Sequence, residues 1–110
     1  MSTSPVRVRP PAVAGTFYPS DGAELARHVD QLVAGASCPD TAAPLRALVL
    51  PHAGYVYSGP IAATGYALLA RRAAATATRR VVLLGPSHRA PVRGLALPEA
   101  DAFAYYAVAA

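Results

Sequence analysis

Apolar residues follow two rhythms along this chain. From Asp21 to Gly35 they fall at Leu25, Val29, Leu32 and Val33, the i, i+4, i+7, i+8 spacing of one helix face. Asp21 stands three residues before Glu24, a capping-box spacing with Asp in the Ser/Thr place, and Gly35 supplies a stop. A second helical stripe, Ile61, Gly65, Leu68 and Leu69, predicts a helix near 59–71. Ser58 or Gly59 would cap it, with Pro60 at the first position, where a missing N–H costs nothing. Gly65 and the many alanines permit close approach to a neighbouring layer, at some cost in helix propensity. The other rhythm is the short unbroken apolar run, Ala47 to Leu50 and again Val81 to Leu84. Such runs suit strands buried on both faces and predict strands near 46–50 and 80–84.

Strand, helix, strand predicts two adjacent parallel strands with a right-handed crossover. Each run ends in a loop that carries a histidine: Pro51-His52-Ala53-Gly54-Tyr55 after the first, Gly85-Pro86-Ser87-His88 after the second. Both histidines then emerge at the carboxyl end of one sheet, where open α/β folds build their ligand sites. Neighbouring strands lie about 4.8 Å apart, so two imidazoles there can converge on one ion or substrate. Elsewhere the patterns are weaker. Residues 1–5 are expected to be disordered, and Arg7 to Tyr18 forms an irregular or short extended entry segment. Ala36 to Pro44 is a loop containing Cys38, and Ala73 to Thr78 connects to the second strand. Gly94 to Leu97 predicts a short third strand ending at Pro98.

Composition narrows the class. The chain has 110 residues, enough for one small domain, which buries roughly 60–68% of its unfolded surface. At 54% hydrophobic and 15% charged residues it is not a disordered chain. No apolar run approaches the roughly 20 residues of a membrane span, and the first residues lack the apolar core of a secretory signal. One cysteine, Cys38, excludes an internal disulfide framework and fits a reducing cytoplasm. The net charge of +4 comes from arginines alone, set in separated pairs such as Arg7/Arg9, Arg71/Arg72 and Arg79/Arg80. Arg71 and Arg72 fall where a cation complements a helix C-terminus. That distribution predicts ordinary surface charge, with no nucleic-acid and no membrane partner.

Neutral imidazole is the commonest transition-metal ligand near neutral pH. Two of them leave open positions on an ion, as a catalytic site requires. His52 and His88 are therefore the candidate metal ligands, with Tyr55 or Tyr57 lining the pocket. Cys38, Glu99 and Asp101 are the candidates for a third ligand. His28 sits beside the apolar face of the first helix and reads as a boundary residue. Other chemistries lack support: Ser87 has no glycine-flanked nucleophile elbow, and no lysine exists to complete a phosphate-binding loop.

Three segments carry a family resemblance. Ala14-Gly15-Thr16-Phe17-Tyr18-Pro19, the stretch Leu50 to Gly59, and Leu84-Gly85-Pro86-Ser87-His88 closely resemble the Memo-like family, whose prokaryotic members are called AmmeMemoRadiSam system protein B. The resemblance runs up to Phe103. It implies an α/β fold with a central, mainly parallel sheet and flanking helices, similar to the N-terminal part of a class III extradiol dioxygenase-like fold. It implies an iron or copper site that uses His52 and His88, with a redox or dioxygenase-like role. It also implies partnership with a radical-SAM enzyme and a second small protein. Members of that family are more than twice this length, and their third metal ligand, often a cysteine, lies in the later portion. Residues 1–110 are thus expected to form a single incomplete domain, inactive alone, that self-associates through an exposed sheet edge. The alternatives are a non-catalytic peptide- or partner-binding module, for which the mark would be no third ligand within reach, and an inactive truncated remnant.

Overall fold

A computed structural model describes residues 4–73 and 80–106. The element order is β1 (Val8–Arg9), α1 (Gly22–Ala34), α2 (Tyr55–Ala73) and β2 (Ala102–Phe103). The class is α/β, with two helices packed on each other and a small parallel sheet.

Helix α1 forms as its local sequence dictates. The Asp21 carboxylate accepts from the Glu24 N–H at 2.8 Å, which satisfies one of the orphan donors of the first turn. Gly35 closes the other end, its N–H donating to the Gln31 carbonyl at 2.9 Å, in a right-handed conformation (φ −83°) that does not require glycine. Leu25 is buried, Leu32 and Val33 are half-buried, and Val29 stays 37% exposed at the margin of the face.

Helix α2 begins four residues earlier than the 59–71 pattern predicts. Gly54 is its effective cap: the Gly54 carbonyl accepts from the Tyr57 and Ser58 N–H groups at 2.9 and 3.0 Å. The Tyr55 N–H, otherwise an orphan, donates to the Phe17 carbonyl at 2.8 Å. Pro60 therefore lies inside the helix and leaves the Val56 carbonyl without its helical donor. Val56 is 86% exposed, so water can take that carbonyl and the helix continues. Arg71 and Arg72 do occupy its last turn. The two helices meet through small residues. Gly59 is buried, and a Cβ there would lie 3.0 Å from Leu32 Cδ1. Among the described residues Leu25, Ala63 and Ala67 form the buried apolar core.

The predicted strands near 46–50 and 80–84 are not strands here. Among the described residues neither segment pairs with another strand, and the one parallel sheet joins β1 to β2, with Val8 opposite Ala102 and Arg9 opposite Phe103. The physical reason is cover. A parallel strand is stable when both of its faces are buried. In the 46–50 segment Leu50 packs on α2 while Val49 is 99% exposed, and Val81 to Leu84 are 70–88% exposed. The predicted third strand at Gly94–Leu97 is also irregular: Gly94 takes φ +74°, and Leu95 and Leu97 are 89% and 91% exposed. Of the expected disordered start, residues 1–3 lie outside the described residues, as does most of the connector predicted over 73–78.

The β1–β2 pair is held by charge as well as backbone. The Arg7 guanidinium spans the Asp101 carboxylate with two contacts of 3.2 Å, and the Arg7 N–H donates to the same carboxylate at 2.9 Å. These bonds hold the Asp101 carboxyl below its ordinary value of 3.8. A carboxylate whose pKa is lowered by folding contributes stability above the unfolded value and loses it as pH falls through the folded one. Through-space NMR contacts between residues 7–9 and 101–104 should therefore fade below that range while the helices persist. Asp101→Asn should reproduce the loss at neutral pH.

Candidate functional site

The His52 loop is fixed at both ends by contacts the sequence encodes locally. Before it, Leu50 packs on Gly65 of α2, where an added Cβ would stand 2.5 Å from Leu50 Cδ2. After it, the Ala53 N–H donates to Ser58 Oγ at 2.9 Å. Phe17, which caps Tyr55, is presented by a tight turn. Gly15 takes φ +83°, its N–H donates to the Tyr18 carbonyl at 2.8 Å, and the Phe17 N–H donates to the Val13 carbonyl at 2.9 Å. On the other side, Ser87 Oγ donates to the Ala90 carbonyl at 2.5 Å and closes a turn around His88.

Gly65→Ala tests the Leu50 contact. Overpacking costs about 1–3 kcal/mol, against about 1 kcal/mol gained in helix propensity. The variant should therefore melt below the wild type, and adding Leu50→Ala should relieve the clash. Thermal unfolding of both single variants and the double variant measures that coupling.

The two histidines meet. His52 Nε2 and His88 Nε2 lie 3.1 Å apart, with ring centroids at 5.2 Å and planes tilted by 42°. At that distance an Nε2–H of one ring can donate to the Nε2 lone pair of the other, the roles depending on the tautomers. The spacing also fits shared ligation. Two nitrogens bound at about 2.1 Å to one ion can be no more than about 4.2 Å apart, and cis positions of an octahedral ion place them about 3.0 Å apart. Both side chains are exposed, so an ion or ligand can reach them.

The third-ligand candidates do not join them. Among the described residues no three His, Cys, Asp or Glu side chains gather where they could hold an ion. Asp101 is held by Arg7, and Glu99 lines a separate shallow surface with Arg7 and Arg9. Cys38 is half-buried, with only a weak 3.9 Å contact from its thiol to the Pro39 carbonyl.

His52 stands on an open groove of about 520 Å³. Val13, Phe17, Tyr18, Leu32, Tyr55 and Tyr66 supply much of its wall, and no Asp, Glu, Lys or Arg lines it. Tyr55 is half-buried there, its ring 5.7 Å from both Tyr18 and His28. Burial pushes the Tyr55 phenol above its ordinary value, and the neighbouring Tyr18 and Tyr66 add to the effect. Tyr55 is thus a neutral hydroxyl at physiological pH. Tyr57 is 82% exposed and lies outside the groove wall. Phe17, Tyr18, Tyr66 and Ser58 were not candidates from the sequence. A turn glycine before Phe17-Tyr18, and a serine six residues after His52, were the available signals.

Among the described residues no helix is long and apolar enough to cross a membrane. A family model described as Memo-like protein matches residues 9–104. A MEMO1 family protein of Ignicoccus hospitalis is 44% identical over 90 residues, covering 74% of this chain and 30% of the relative. One from Aquifex aeolicus is 40% identical over 98 residues, covering 89% of this chain and 34% of the relative. Protein MEMO1 of Danio rerio is 37% identical over 90 residues, covering 82% and 28%. The chain therefore spans about a third of the length of the curated relatives it matches. No solved structure matches it significantly.

Proposed function

This chain belongs to the Memo-like family, matching an N-terminal portion of its members, and from that premise we propose that His52 and His88 are two ligands of one divalent metal ion, iron or copper. The observation that carries the reading is the 3.1 Å approach of two exposed Nε2 atoms from loops far apart in sequence. Bound there, iron or copper would supply Lewis-acid and one-electron redox chemistry. This chain's own part is to hold two imidazoles in convergent positions and to offer, beside His52, a groove without Asp, Glu, Lys or Arg in its wall. Tyr55 adds a neutral phenol that can donate a hydrogen bond to a ligand in that groove. The finer fold expectation, a central sheet like that of the class III extradiol dioxygenases, belongs to the same proposal. So do the cytoplasmic setting and partnership with a radical-SAM enzyme and a second small protein.

Two protein ligands bind weakly, with water filling the remaining positions. Calorimetric titration of the chain with iron(II), copper(II) and zinc(II) should give one ion per chain, displaced by a chelator. The second reading is a non-catalytic module whose groove holds a peptide or partner, and the missing third ligand among the described residues favours it. No binding by any of the three ions would leave that reading ahead.

A further inference from the structure

The peptide that carries His52 is pinned from the helix that follows it. Ser58 is 7% exposed, and it is the buried polar side chain among the described residues. Its hydroxyl accepts the N–H of Ala53, the residue next to His52, at 2.9 Å. The hydroxyl thus ties the histidine loop to the first turn of α2, beside the packing of Leu50 on Gly65. His88 has an equivalent closure. Ser87 Oγ donates to the Ala90 carbonyl at 2.5 Å, and the turn so closed contains His88. Among the described residues neither loop has a strand ladder behind it, since 46–50 and 81–84 pair with no other strand there. The contacts that fix the direction of each imidazole are therefore local, and in each loop a serine hydroxyl makes one of them.

We propose that Ser58 and Ser87 are the positioning residues of the His52–His88 pair, their hydroxyls holding the two loops so that the Nε2 atoms meet. What this implies for metal affinity rests on the proposed metal site. What it implies for the approach of the two rings does not.

The test uses the full 110-residue chain, isotope-labelled and metal-free. The wild type should show nuclear Overhauser contacts between the ring protons of His52 and His88. It should also show an Ala53 amide that exchanges at least about tenfold more slowly than an unstructured amide. Ser58→Ala and Ser87→Ala should each remove the ring contact while the helical circular dichroism signal stays. Ser87→Thr, which keeps the hydroxyl, should retain it. Titrated with zinc(II) alone, the two alanine variants should bind about 10–100-fold more weakly than the wild type, as second-layer partners of metal ligands do. Ring contacts and zinc affinity unchanged in both alanine variants would overturn the proposal. An unprotected Ala53 amide in the wild type would overturn the Ser58 half even if Ser58→Ala does not fold. If the wild type binds none of zinc(II), iron(II) and copper(II) but its ring contact still depends on the serines, the metal reading fails and the positioning roles stand.

Discussion

His52→Ala or His88→Ala should each remove specific divalent-ion binding. Two imidazoles held 3.1 Å apart act as one chelate, because the second ligand is already in place when the first binds. Losing such pre-placed multivalency weakens binding on the order of 100-fold or more. From an already weak two-ligand site, that leaves nothing a titration can resolve. The structure makes the effect symmetric, since the two Nε2 atoms are 3.1 Å apart and neither has another His, Cys, Asp or Glu cluster to fall back on among the described residues. Both rings are exposed, so neither substitution opens a cavity, and helix content should not change. Calorimetry on the wild type and both variants, with circular dichroism as the control, checks this. A variant that keeps wild-type affinity would assign its histidine a structural role.

The chain should associate with itself as its concentration rises, through Val81 to Leu84. Those four side chains are 70%, 84%, 88% and 75% exposed, and Val49, Leu95 and Leu97 add further apolar surface. Contiguous exposure of this kind marks a surface made to be covered. Among the described residues the run pairs with no strand, so its backbone is also open to pairing with another edge. The radius of gyration, 16.3 Å, exceeds the roughly 13 Å of a compact chain of this length. The buried apolar set of Leu25, Ala63 and Ala67 is small, and fully burying one leucine stabilises by only about 1.5–3 kcal/mol. Unfolding should therefore be broad. Sedimentation velocity over a hundredfold concentration range should show growing species, and Val82→Lys with Leu84→Glu should return the chain toward monomer. A sharp, concentration-independent monomeric transition in the unmodified chain would contradict this.

What could be read from the sequence was whatever is decided within a few residues. Helix α1 is legible with its cap because Asp21 and Glu24 are three apart and their bond is local. Helix α2 is legible in its stripe but not in its start, because the Tyr55 N–H is satisfied by Phe17, a carbonyl far away in the chain. Pro60 pointed to a first position that the helix passes through. The apolar runs before His52 and His88 have the composition of strands, but a ladder needs a partner and two covered faces, and neither run has them among the described residues. The β1–β2 pair could not have been foreseen: each strand is two residues long, and Arg7 and Asp101 are 94 residues apart. The meeting of His52 and His88 was expected from equivalent strand-end positions. It holds although the strands themselves do not form, because Leu50 on Gly65 and the serine-closed turns also constrain the loops.

The decisive measurement is X-ray absorption at the metal edge of the chain loaded with one equivalent of copper(II) or zinc(II). The spectrum should show two imidazole nitrogens at about 2.0–2.1 Å with water oxygens in the remaining positions, and the imidazole scattering should be lost in His52→Ala/His88→Ala. A wild-type spectrum with oxygen neighbours only, or one that the double substitution leaves unchanged, would contradict it.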